Sequence, residues 1–257
     1  MYMGRPTEAS VILRSSSNWW QIIARKKPRS SPLFPHVKEL FDGMRGLEIG
    51  GPSGLFNEYY PIYPIAAAVD GCNFSSRTMW EGKLHEGENF SYGDRVGHQY
   101  ILDAVDLNTI PSGSYDFIIS SNCLEHVGNT IKAVVEWLRV LKSGGAILIA
   151  VPNKRYYFDR KRPDTTMEHV LNDHNADIDE HDLTHLEEIV RLHDYRKDRS
   201  AGSPDDFRRR SMNNFENRCL HHHIFSMSLL EQIADHCGIR VIALEERLDL
   251  TLIGQKR

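Results

Sequence analysis

The sequence predicts an α/β fold built on a mostly parallel sheet, and three observations carry that expectation. Five short apolar segments, 46–50, 65–70, 99–103, 115–121 and 146–151, have the length and composition of buried strands. Between the last two, Ile131, Val134, Val135, Leu138 and Leu141 fall on one face of a helix spanning Thr130 to Leu141. A closing pair of β-rich segments, 240–244 and 248–253, lies close enough for an antiparallel hairpin. Strands that alternate with helices pair in parallel through right-handed crossovers.

Taken in order, residues 1–34 form an N-terminal extension whose apolar patch, Trp19, Trp20, Ile22 and Ile23, suits a docking helix or a homodimer contact. Pro32 and Pro35 punctuate the approach to a short helix over 35–41. Residues 35–257 make one domain. Its first strand enters Glu48-Ile49-Gly50-Gly51-Pro52-Ser53-Gly54, a turn whose small residues let backbone approach a ligand closely. Asp70 closes the next apolar segment twenty positions after Gly50. A strand, a glycine turn and a carboxylate at the tip of the following strand form a nucleoside pocket, the carboxylate accepting hydrogen bonds from ribose hydroxyls. Lys142-Ser143-Gly144-Gly145 ends the amphipathic helix with a glycine cap. A polar insertion over about 153–220 separates the fifth strand from a second amphipathic helix, 226–237, and the terminal hairpin.

The composition narrows the function classes. Lys and Arg number 31 against 35 Asp and Glu, so no basic excess points to nucleic acid. No apolar run approaches the roughly 18 residues of a membrane helix, which argues against membrane insertion. Cys72, Cys123, Cys219 and Cys237 lie far apart without a C-x-x-C pair and read as reduced thiols in a cytoplasmic protein.

Four pieces in order resemble the class I S-adenosylmethionine-dependent methyltransferases. They are the 48–54 turn, Asp70, the Asp103-Ala104-Val105-Asp106-Leu107 segment leading to Pro111–Asp116, and Ser120-Ser121-Asn122-Cys123-Leu124-Glu125-His126-Val127. The resemblance implies a Rossmann-like, seven-stranded, mostly parallel sheet with helices on both faces, an antiparallel C-terminal strand and S-adenosyl-L-methionine as cofactor. It also implies site roles. Gly50, Gly51 and Gly54 pass the methionine part, and Glu48 holds its amino end or the turn. Asp70 takes the ribose, Asp103 and Ala104 meet the adenine, and Ser121 and Asn122 lie under the sulfonium. Glu125 and His126 either belong to the site or cap the helix at Thr130. The G-x-G-x-x-G spacing of a dinucleotide-binding dehydrogenase is not met.

The insertion is the place for the methyl acceptor, and eight of the 13 histidines lie between 169 and 223. A hydroxyl acceptor needs a general base, and imidazole suits that role near neutral pH. Thr184 and Glu187 make a capping box that sets His185 in the first turn of a helix, where the dipole keeps the ring neutral. His185, His221 and His223 are therefore the expected catalytic residues, with His222 turned away from its neighbours. A metal held by His181 and His185 with Glu180, Asp182 and His221 or His223 is the less favoured alternative, and the site is expected to hold none. The insertion is also similar, more loosely, to methyltransferases of bacterial glycan and natural-product pathways through Phe158-Asp159-Arg160-Lys161-Arg162-Pro163, His185 and His221-x-His223-x-Phe225. That resemblance implies a glycan or glycosylated small molecule as acceptor, a sugar hydroxyl as the target, and Tyr156, Asp159 and Arg162 as its binding residues. N-methylation of an amino sugar or small amine, or a cofactor-binding subunit without catalysis, are the alternatives.

Overall fold

The computed structural model describes residues 30–257, so the Trp19–Trp20 patch and the dimer contact assigned to it lie outside the described residues. The elements are α1 (Phe34–Phe41), β1 (Arg45–Ile49), α2 (Leu55–Glu58), β2 (Ala68–Asn73), β3 (Arg77–Thr78), β4 (Gly82–Lys83), β5 (Gly87–Tyr92), β6 (Arg95–Ile101), β7 (Tyr115–Ser121), α3 (Thr130–Val140) and β8 (Leu141–Pro152). They continue with α4 (Met167–Asn175), α5 (Leu186–Leu192), α6 (Pro204–Ser211), α7 (Asn214–Asn217), α8 (Met227–His236), β9 (Ile239–Glu246) and β10 (Asp249–Lys256).

Eight strands form one sheet in the order β5-β6-β2-β1-β7-β8-β10-β9. The central pairs β6–β2, β2–β1, β1–β7 and β7–β8 are parallel, while β10 runs antiparallel to both β8 and β9. This is the expected Rossmann-like sheet with one more strand, because β5 folds back on β6 as an edge hairpin. The sequence hides that strand: Glu88, Asn89 and Ser91 are edge-strand polar residues without an apolar run.

Each face of the sheet has its own apolar core. On one side α3 and α8 pack Ile131, Val134, Trp137, Leu229 and Ile233 against Ile118, Ile147 and Ile149. On the other α1 and α2 pack Val37, Phe41 and Phe56 against Val69, Phe117 and Leu148. Trp137 is fully buried and donates its Nε1–H to the Ala104 carbonyl at 2.9 Å, which ties the helix to the 103–107 turn.

The insertion folds as α4–α7 with a small core of Leu186, Ile189, Ala201, Phe207 and Leu220. No helix among the described residues is long and apolar enough to cross a membrane.

Candidate active site

The carboxyl ends of β1, β2, β6, β7 and β8 meet at one edge of the sheet, where an open α/β fold binds its ligand. At Gly50 the chain takes φ +81, and a Cβ there would stand 2.8 Å from the Cβ of Cys123. A Cβ on Gly51 would strike the Glu48 carboxyl at 2.1 Å, whereas Gly54 faces open space. Glu48 is buried beneath the turn and accepts from Ser53 N–H at 2.8 Å and from the Tyr63 hydroxyl at 2.5 Å. It therefore braces the turn from inside.

Burial pushes the Glu48 carboxyl up to about 8, against the downward pull of those two hydrogen bonds. The unfolded chain ionises near 4.5 while the fold keeps the proton. Glu48 thus contributes most stability below pH 4.5 and progressively less as the pH rises to about 8, by at most about 1.4 kcal/mol per pH unit. Glu48→Gln is expected to lose less melting temperature than the wild type between pH 5 and pH 8; a steeper loss in the variant overturns this assignment.

The register of β2 corrects the position of Asp70. Asp70 pairs with Leu47, while Ile49 pairs with Cys72 and Asn73 ends the strand. Asp70 is thus buried in the amino-terminal half of its strand, accepting from Arg45 Nη2 at 2.8 Å, the Tyr115 hydroxyl at 2.8 Å and His98 N–H at 2.9 Å. The side chain at the strand's tip is Asn73, whose Nδ2 donates to the Gly51 carbonyl at 2.9 Å.

Beside the turn, Asn122 adopts a left-handed conformation (φ 49), and its Oδ1 is buried without a partner. Its Nδ2 donates to the Ser121 hydroxyl at 3.2 Å. Asp103 lies just past β6, accepting from Val105 N–H at 3.1 Å and from Arg218 Nη2 at 2.9 Å. Arg218 also pairs with Glu180 and lies over the rings of Phe74 and Phe215. Ala104 is buried in the core.

A second group stands directly after β7, in the 3₁₀ turn Leu124–His126. Glu125 is buried with neither carboxyl oxygen partnered, and burial raises its pKa to about 8. His126 places Nδ1 3.1 Å from the Leu220 carbonyl, and burial holds its ring neutral. His221 crosses it edge-on at 4.5 Å between ring centres and bonds through Nδ1 to the Asp159 carboxylate. Burial works against a charged His221, and Asp159 outweighs it, so that ring is the more basic of the two. One ligand atom from each of Glu125, His126 and His221 lies within 4.8 Å of the others. Trp80, on the β3–β4 hairpin, is half exposed and leans on His126 at 5.1 Å.

A profile described as a methyltransferase domain matches residues 23–244. The chain belongs to this methyltransferase family. Its S-adenosylmethionine would meet a fitting edge, one with a glycine turn, an unpartnered Asn122 oxygen and polar side chains at two strand tips. Among curated relatives, the ubiquinone biosynthesis O-methyltransferase of Maricaulis maris is 24% identical over 167 residues, 58% of this chain and 62% of that protein. The protein of the same name from Chelativorans is 26% identical over 120 residues, 47% of this chain and 45% of that one. This methyltransferase therefore covers less than two thirds of either relative. Solved structures that resemble it include an S-adenosylmethionine-dependent methyltransferase from Mesorhizobium loti (14% identity, TM-score 0.49, 88% of this chain and 98% of that one). One from Methanosarcina mazei gives 14% identity, TM-score 0.47, and 89% and 99% coverage.

The methyltransferase separates the three histidines expected to act together. His221 joins Asp159, His126 and Glu125, whereas His185 and His223 stand with His169 and Asp173. His185 is the N-cap of α5 rather than lying in its first turn, and Thr184 bonds Asp182 instead of capping the helix. The alternative metal set fails on geometry: His181 is exposed, bound to Asp179 and stacked on Phe215. His222 does turn aside, with Nε2 3.0 Å from Asn214 Nδ2. Arg162 is buried and donates to the His221 carbonyl at 2.7 Å and to Glu188 at 3.1 Å, which makes it a brace behind the histidine segment. Asp159 is likewise occupied by His221, while Tyr156 remains exposed. Asn73, Trp80 and Arg218 carry no motif that the sequence alone could single out.

Proposed function

We propose that this methyltransferase moves the methyl group of S-adenosylmethionine to a hydroxyl oxygen of a small molecule, a sugar hydroxyl in the first instance, with His221 as general base. The observation that carries this is the buried Asp159–His221 pair facing His126 and the unpartnered carboxyl of Glu125 immediately after β7. The relatives named O-methyltransferases support oxygen as the acceptor atom.

Bound S-adenosylmethionine supplies an electrophilic methyl group on a sulfonium. The Gly50–Gly54 turn passes its methionine part, Asn73 replaces Asp70 as the ribose contact, Asp103 meets the adenine, and Ser121 and Asn122 line the sulfonium side. An aliphatic hydroxyl is far too weak an acid to ionise alone, so its proton must leave as the methyl arrives. Asp159 fixes His221 with its Nδ1–H occupied, which leaves Nε2 as the proton acceptor. Glu125, largely protonated at neutral pH, hydrogen-bonds a second polar group of the acceptor and orients it.

The test is labelled-methyl transfer to a panel of glycosides, phenols and amines. Turnover with hydroxyl acceptors supports the proposal; turnover confined to amines overturns it. For the cofactor, Asn73→Ala is expected to weaken S-adenosylhomocysteine binding about tenfold by calorimetry, since a lost hydrogen bond is worth about 1–1.5 kcal/mol. Unchanged affinity overturns the ribose assignment.

A further inference from the structure

We infer that His169, Asp173 and His223, with His185 beside them, form a binding site for a divalent transition-metal ion of the zinc type. Three separate segments bring these residues together. His169 and Asp173 lie four positions apart on α4, with His169 Nε2 3.1 Å from Asp173 Oδ2. His223, from the segment before α8, sets Nε2 3.8 Å from the same carboxylate oxygen. His185, just before α5, sets Nε2 3.1 Å from His169 Nε2. One ligand atom each from His169, Asp173 and His223 lies within 4.8 Å of the other two.

Hydrogen bonding among these groups leaves the cluster poorly satisfied. An imidazole Nε2 carries either one hydrogen or one lone pair, directed outward in the ring plane. His169 Nε2 faces a carboxylate oxygen and a second imidazole nitrogen at the same 3.1 Å, and a single hydrogen serves only one of them well. The buried His223 ring gives its Nε2–H to the Gly128 carbonyl at 3.1 Å and has no partner at Nδ1, so coordination through Nε2 requires the ring hydrogen to move to Nδ1. A cation satisfies converging lone pairs and the carboxylate together.

The donor set selects the ion. Imidazoles with one carboxylate suit zinc and its neighbours, whereas magnesium and calcium favour mostly oxygen ligands. Zinc bonds to nitrogen at about 2.0–2.1 Å in a tetrahedron, which asks for ligand separations of roughly 3.3 Å, close to those present. The His169 side chain is 34% exposed and offers an entry route. The site also has a place in the fold: His174, on the same helix as His169, sets Nδ1 3.2 Å from Asn129 Oδ1. A bound ion would fasten α4, the approach to α5 and the 221–225 segment to the 127–129 loop behind the proposed base.

The experiment uses untagged full-length protein stripped with a chelator and titrated with zinc chloride by calorimetry, then with cobalt chloride by visible absorption. Expected are one zinc per chain at micromolar affinity or tighter, ligand-field bands with cobalt, and a higher melting temperature with zinc. His169→Gln combined with His185→Gln, both at partly exposed positions, should weaken zinc binding at least 100-fold, and His221→Gln should leave it unchanged. No stoichiometric zinc binding by the wild type overturns the site, whatever the variants do. Binding that survives the double variant but is lost in His221→Gln overturns it too, by moving the ion to the Glu125–His126–His221 group.

Discussion

His221→Ala is expected to lower kcat by about 10²–10⁴-fold, the usual contribution of a positioned general base, while S-adenosylhomocysteine binds as in the wild type. The two outcomes separate because His221 reaches Asp159, His126 and Phe158, whereas the cofactor edge is built from the ends of β1, β2 and β7. Truncation leaves a cavity the size of an imidazole, so added imidazole should restore part of the rate in His221→Ala and none in wild type. Asp159→Asn removes the anchor without removing the base. Asp159 acts through His221 as a positioning residue, and its loss is expected to cost about 10²-fold in kcat with little change in acceptor KM. If His221→Ala retains more than a tenth of wild-type kcat on a hydroxyl acceptor, His221 is not the base.

The sequence disclosed most of the sheet because buried strands are written in continuous apolar residues. Tyr115–Ser121 is a strand with the expected bounds, the helix from Thr130 ends one residue early, and the terminal segments pair as the anticipated hairpin. The error that mattered was three residues in β2. Ile65 and Ala66 look like the start of a strand, yet both donate their N–H to Ile62 in a turn, and the strand begins at Ala68. Gly71 and Asn73 look like the end of one. Gly71 is there because the Phe90 ring lies where its Cβ would stand, at 2.0 Å, so the glycine marks packing and not termination. That shift puts Asn73, not Asp70, at the strand's tip, which is the ground for proposing Asn73 as the ribose contact.

The acceptor side was half legible. Clustered histidines marked the region, and Glu125, His126, Asp159 and His221 are all visible as residues. Their grouping rests on contacts such as Asp159 to His221, 62 positions apart, and no local pattern encodes such a pairing. The 221–225 segment is irregular, so alternation along it failed to keep His221 and His223 in one site.

Asp70→Ala is expected to lower stability by about 3 kcal/mol and to leave cofactor affinity within about twofold of wild type. The cost follows from what the carboxylate serves. Its removal strands the buried Tyr115 hydroxyl and the His98 N–H, each worth about 1–3 kcal/mol when left unsatisfied. Arg45 adds little, because its side chain is 57% exposed and water takes over as its partner. For a chain of this size the loss corresponds to a fall of roughly 6–12 °C in melting temperature. Asp70→Asn keeps the shape and one acceptor oxygen, so it should fall between the two. A ribose contact behaves in the opposite way: its loss weakens cofactor binding tenfold or more and barely moves the melting temperature. Calorimetry and thermal unfolding on the same preparations therefore decide between the two roles for Asp70, and Asn73→Ala, which also loses its bond to the Gly51 carbonyl, is judged by its cofactor affinity.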